Sequence, residues 1–152
     1  MSIIERDELY TLLPHKGEMF LLSRVIDYDK KTLVSEFDIT KNCIFYDDEL
    51  DGLPAWVSFE LMAQGISAIA GIENRAKGLP VQLGFILSVT SMDLFASVLK
   101  CGSTARIEVE EDCRIDLVST LACKVSVNGE LVAKAKVSCI EADEYGIVKN
   151  NF

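Results

Sequence analysis

The sequence predicts an α+β fold in which one antiparallel sheet wraps around a single long helix. Three observations carry this. Residues 54–77 read as one long, mostly apolar helix. The four segments that follow alternate apolar and polar residues with a period of two, the signature of half-buried strands. The last two of these meet at Asn128-Gly129, a dipeptide that favours a tight hairpin turn.

The elements follow in order. Residues 6–13 suit a short helix, FLLSRVIDYD (20–29) a strand, and KKTLVSEFDI (30–39) its hairpin partner. The period then changes. In PAWVSFELMAQGISAIAGIENRAK (54–77), Pro54 suits a first helical turn, where a missing N–H costs nothing, and Asp51 is placed to cap it. Arg75 and Lys77 favour the negative helix end, and Gly78 supplies a stop. Such a helix runs roughly 35 Å. Trp56, Val57, Phe59, Leu61, Met62, Ile66, Ile69 and Ile72 make it apolar nearly all round, so it is expected to be buried on most sides. Strands are expected at 82–95, 103–112, 121–128 and 131–142. A sheet curled round a buried helix is the hotdog arrangement, and 1–152 is read as one hotdog domain. A cystatin-like roll shares the same element order.

Composition narrows the function. A chain of 152 residues with nearly half of them apolar has the means for one sizeable core. The net charge of −9 and the lack of a basic stripe argue against nucleic-acid binding. No apolar run is long enough to cross a bilayer, so no membrane insertion is expected. The opening MSIIERDELY has no basic stretch before an apolar core, and neither a secretory nor a transit peptide is expected there. Cys43, Cys101, Cys113, Cys123 and Cys139 are odd in number and contain no CxxC pair. They read as small buried hydrophobes of a reducing, cytoplasmic setting.

One carboxylate stands out. Glu60 lies within the apolar helix, with Gln64 and Ser67 on the same narrow stripe. A carboxyl group in apolar surroundings is costly unless paired, and is suited to general acid–base work. The alternative is a polar cluster tying helix to sheet. The lone histidine, His15, sits in LPHKGEM and reads either as a titrating group or as an exposed turn residue. Tyr46 and Asp47-Asp48 precede the helix, and no ligand spacing accompanies them, so no metal is expected. Ala55 opens the helix, where a free N–H can polarise a carbonyl. Trp56 reads as packing or as a ligand contact.

Four segments resemble one family in consistent order across residues 8–141. LPHKGEMFLLSRV (13–25), LPAWVSFELMAQGISAIAG (53–71), GFILSVTSMDLFASVLKCG (84–102) and NGELVAKAKV (128–137) are similar to segments of the FabZ-type 3-hydroxyacyl-[acyl carrier protein] dehydratases. The ApeP branch, associated with aryl polyene assembly, is more similar still. The resemblance implies a hotdog dimer, homomeric or heteromeric, with sites between subunits. It implies a histidine of one subunit facing the helix carboxylate of the other, acyl carrier protein as partner, and no cofactor. It assigns Glu60 as the helix carboxylate, Gln64 as its support and the Ala55 N–H as the donor to the thioester carbonyl. It fails at one place. Where the family has the histidine of GHFPGNP, this chain has Tyr46 in FYDDELDGLP. Three readings follow: His15 supplies the imidazole, which is favoured; Glu60 works with water or Tyr46; or the chain is a non-catalytic subunit of a heteromer. Thioester hydrolysis is the other enzymatic alternative.

Overall fold

The computed structural model describes residues 3–142, and the elements below lie within them. Strand β1 (Ile4–Glu5) leads into helix α1 (Arg6–Tyr10), a 3-10 turn (Gly17–Met19) and the hairpin β2 (Arg24–Tyr28)–β3 (Thr32–Asp38). A short strand β4 (Gly52–Pro54) precedes the long helix α2 (Val57–Ala76). Then come β5 (Leu83–Leu94), β6 (Val98–Lys100), β7 (Thr104–Ile115), β8 (Val118–Val127) and β9 (Glu130–Ala142). The main sheet has the order β1-β2-β3-β7-β8-β9-β5, and each named neighbour pair is antiparallel. A separate two-stranded ladder joins β4 to β6.

This is the hotdog arrangement expected from the pattern, with α2 packed on β3, β7 and β8. Alternation explains the sheet: Ala105, Ile107 and Val109 face α2 and are buried, while Arg106, Glu108 and Glu110 point away. Gly65 allows the close approach, because a Cβ there would lie 2.8 Å from a Val109 methyl carbon. Asn128 and Gly129 both have positive φ, as the two-residue primed turn between β8 and β9 requires.

Three expectations need correcting. The strand placed at 20–29 begins at Arg24, and residues 20–22 form a strap outside the ladder instead. Pro54 does not open the helix: it ends β4 opposite Val98, and α2 starts at Val57. Asp51 does not cap α2, since its carboxylate accepts the Tyr46 hydroxyl, 2.9 Å away, in a turn with φ of +48°. The helix is buried on most sides, as expected; Ile66, Ile69 and Ile72 are partly buried along one side, and Trp56 just before it is 56% exposed.

Candidate active site

The half-exposed side of α2 borders a cavity of about 760 Å³ between the helix and strands β5, β8 and β9. His15, Glu60 and Ser67 line it on one side; Phe85 and Ile86 of β5 and Leu121 of β8 also line it. Glu60 therefore reaches the cavity, with its side chain 27% exposed.

The Glu60 carboxylate is held from two directions. Gln64, one turn further along the helix, donates from Nε2 to Glu60 Oε1 at 3.0 Å. The same amide donates to the Met19 carbonyl at 2.7 Å, and its oxygen accepts from the Leu21 N–H at 2.8 Å and the Leu22 N–H at 3.4 Å. Gln64 is fully buried, so these contacts fix its orientation. On the other side, His15 Nε2 lies 3.6 Å from Glu60 Oε1 of the same chain. His15 Nδ1 is buried without a hydrogen-bond partner among the described residues. Burial pushes the imidazole below its ordinary pKa, against the opposing pull of the Glu60 carboxylate, with Lys16 adding a smaller push down. The neutral form is thereby favoured at neutral pH.

Not every expected site residue joins this group. Ser67 shares the cavity, but Gln64 turns inward to the strap rather than into it. The Ala55 N–H is not free. It donates to the Ser97 carbonyl at 3.0 Å, because the β4–β6 ladder runs one residue past Pro54. Among the described residues, the N–H groups of Trp56 and Val57 make no hydrogen bond, so the positive end of α2 offers its unpaired donors there. Tyr46 does not line the cavity. Its hydrogen bond to Asp51 pushes the phenol up to about 12. Trp56 stacks edge-on against Phe45, ring centres 5.6 Å apart, and is outside the cavity too. Within one chain, His15 Nε2 already approaches Glu60 Oε1. The strap's backbone groups and Arg6, which binds them, escaped the sequence reading. The only hint was an apolar FLL run directly before the expected strand.

A curled sheet around one helix defines the hotdog fold, and a helix carboxylate facing a histidine in a cavity is an arrangement suited to acid–base chemistry. The chain belongs to the ApeP-like family, whose model, described as ApeP dehydratase, matches residues 8–149. Among curated relatives, the 3-hydroxyacyl-[acyl-carrier-protein] dehydratase FabZ of Solibacter usitatus is 26% identical, over 95% of this chain and 89% of its own length. FabZ of Xanthomonas campestris is 27% identical, over 93% and 94%. Of solved structures, the dehydratase heterocomplex ApeI:P from Xenorhabdus doucetiae matches with TM-score 0.83 at 18% identity, covering 91% of this chain and 93% of that one. The PaaI protein of Escherichia coli matches with TM-score 0.60 at 11% identity, covering 76% and 80%. These two likenesses are of fold.

Proposed function

We propose that this chain removes water from a 3-hydroxyacyl thioester carried on acyl carrier protein, giving the trans-2-enoyl thioester, with Glu60 and His15 as the acid–base pair. The observation that carries the assignment of roles is the 3.6 Å approach of His15 Nε2 to Glu60 Oε1 at the wall of a cavity of mixed polar and apolar lining. Membership of a dehydratase family and the FabZ relatives support the reaction class.

The chemistry balances with these two groups. Neutral His15 takes the α-proton of the thioester. Charge that develops on the thioester oxygen is stabilised by the positive dipole end of α2, in whose first turn Glu60 lies. The imidazolium so formed, held opposite the Glu60 carboxylate, gives that proton to the hydroxyl, which leaves as water as the Cβ–O bond breaks. The imidazole is then neutral again and the pair is reset. No step needs a metal or a cofactor. The acyl chain lies along Ile66 and Ile69 of α2.

The reading extends to the assembly. Strand β5 is a sheet edge of 12 residues with Phe85, Ile86, Leu87 and Val89 exposed. A bare apolar edge of that length invites pairing. We assign it to a second hotdog chain, either another copy or a paralogue, which would also close the cavity. We assign the operating compartment to the cytoplasm, on the ground that the five cysteines are all free thiols. No helix among the described residues is long and apolar enough to cross a membrane.

The test is direct. With a 3-hydroxyacyl carrier substrate, Glu60→Gln and His15→Ala are each expected to lower kcat by about 10²–10⁴-fold. Wild-type rates in both would refute the assignment, and release of free carrier thiol in place of enoyl product would make the protein a thioesterase. Mixed dimers of the two variants locate the pair. A pair within one chain gives no working site in the mixed dimer, whereas a pair shared between chains restores one site in two.

A further inference from the structure

The strap at residues 19–22 runs beside Gln64, the residue that holds Glu60, yet no strand pairs with residues 20–22. Backbone groups left in that position need partners, since an unpaired buried donor or acceptor costs about as much as a lost hydrogen bond. Two side chains supply them from opposite sides. From the helix side, Gln64 takes the N–H groups of Leu21 and Leu22 and the carbonyl of Met19. From the other side, the Arg6 guanidinium donates to three successive carbonyls: Phe20 at 3.0 Å, Leu21 at 3.2 Å and Leu22 at 2.6 Å. It also lies over the Phe20 ring, 4.5 Å from the ring centre. Arg6 has no carboxylate partner in the ion pairs of the described residues, so its charge is committed to these carbonyls.

We propose that Arg6 is a positioning residue for the Glu60 carboxylate, acting through the strap and Gln64. The inference rests on the function proposed above. The chain of contacts is continuous: guanidinium to the carbonyls of residues 20–22, the Leu21 and Leu22 N–H groups to the Gln64 oxygen, and the Gln64 amide to Glu60 Oε1. A guanidinium suits the task because its planar fork carries five donors in fixed directions and binds several acceptors at once. Withdrawing it leaves the strap held on one side only. Gln64 then follows the strap, and Glu60 loses the donor that aims it at His15. A lysine in its place keeps the charge but not the fork.

Arg6→Ala and Arg6→Lys test this, with kcat and KM on a 3-hydroxyacyl carrier substrate and the NMR titration of the imidazole. His15 is the single histidine of the chain, so its signal is unambiguous. Glu60 and Lys16 are the charged groups acting on it. The expected result for Arg6→Ala is a kcat about 10-fold lower with KM within about 2-fold, equal to about 1.4 kcal/mol of transition-state stabilisation. Its His15 titration should move toward that of Glu60→Gln, and Arg6→Lys should recover only part of either loss. An unchanged kcat, or a lowered kcat with the His15 titration left at the wild-type value, would overturn the proposal. The titration is read without turnover. A wild-type protein inactive on every such substrate would end the dehydratase reading, while the titration of Arg6→Ala would still decide whether Arg6 sets the distance between Glu60 and His15.

Discussion

Replacing Gln64 by leucine keeps the side-chain volume nearly constant and removes every polar contact at the junction of helix and strap. The cost follows from what is left behind. The Leu21 N–H loses its 2.8 Å partner at a residue only 3% exposed, so water does not replace it. An unsatisfied buried donor of this kind costs about 1–3 kcal/mol. The Leu22 N–H, at 3.4 Å in the native protein, adds less. The Met19 carbonyl belongs to a residue 44% exposed, and solvent offsets part of its loss. Gln64→Leu is therefore expected to lower unfolding stability by about 2–4 kcal/mol in all. That is a large share of the roughly 5–15 kcal/mol that holds a domain of this kind folded. Urea unfolding at fixed protein concentration measures it, with an unchanged m-value required for the comparison. If leucine costs under about 1 kcal/mol, the strap is not held by Gln64 and the reasoning fails.

Three further outcomes are expected. Gly71→Ala would place a Cβ 2.2 Å from the Leu12 carbonyl oxygen, a backbone contact that cannot swing aside. It should destabilise by at least the roughly 1–3 kcal/mol of ordinary overpacking, read as a lower melting temperature than that of Gly84→Ala, whose Cβ would meet only the Ile140 oxygen at an ordinary 3.8 Å. The second concerns pH. Because burial holds the His15 pKa below 6.5 in the folded chain, the unfolded chain binds more protons in the window just below 6.5. Stability from this group is thus complete above that window and is lost as pH falls through the folded value. Replacing His15 with asparagine should flatten the stability profile there, and an equal slope in both proteins would count against it. The third is chemical. The Cys123 thiol is buried and pushed up to about 12, chiefly by desolvation, so a thiol reagent should label exposed Cys113 well before Cys123 in the folded protein. Peptide mapping after brief labelling distinguishes them.

The long-range shape of this protein is written in its periodicities, and the departures have local causes. The period-two segments became β5, β7, β8 and β9 within a few residues of their expected ends, and Asn128-Gly129 made the expected turn. The strands β4 and β6, three residues each, are too short to show any period. Missing them shifted the helix start, since Pro54 obeys a rule for first helical turns and also tolerates the end of a short strand. The same ladder consumed the Ala55 N–H. The strap was misread because FLL continues the apolar pattern of the next strand, whereas its hydrogen bonds go to two side chains distant in sequence. Glu60 and Gln64 were legible as a polar stripe in an apolar helix. Their meeting with His15 was not, because it depends on how the segment after α1 folds back over α2.

The departure at Tyr46 and the position of His15 bear on each other. A phenol pushed up to about 12 keeps its proton at neutral pH, and its hydrogen bond is already given to Asp51. Tyr46 is therefore a poor acceptor for an α-proton, and proton transfer near neutrality falls to the one imidazole the chain possesses. That imidazole already faces the carboxylate within its own chain, with Gln64 aiming the other side. What a single chain lacks is enclosure: Glu60 keeps 27% exposure, and Phe85 and Ile86 of β5 stand open beside the cavity. Electrostatic contacts strengthen as water is excluded, so a second chain laid along β5 would act on the reaction by drying the site. If the pair acts within one chain as proposed, the partner would contribute wall and not proton donor, and a catalytically silent paralogue would serve as well as an identical copy.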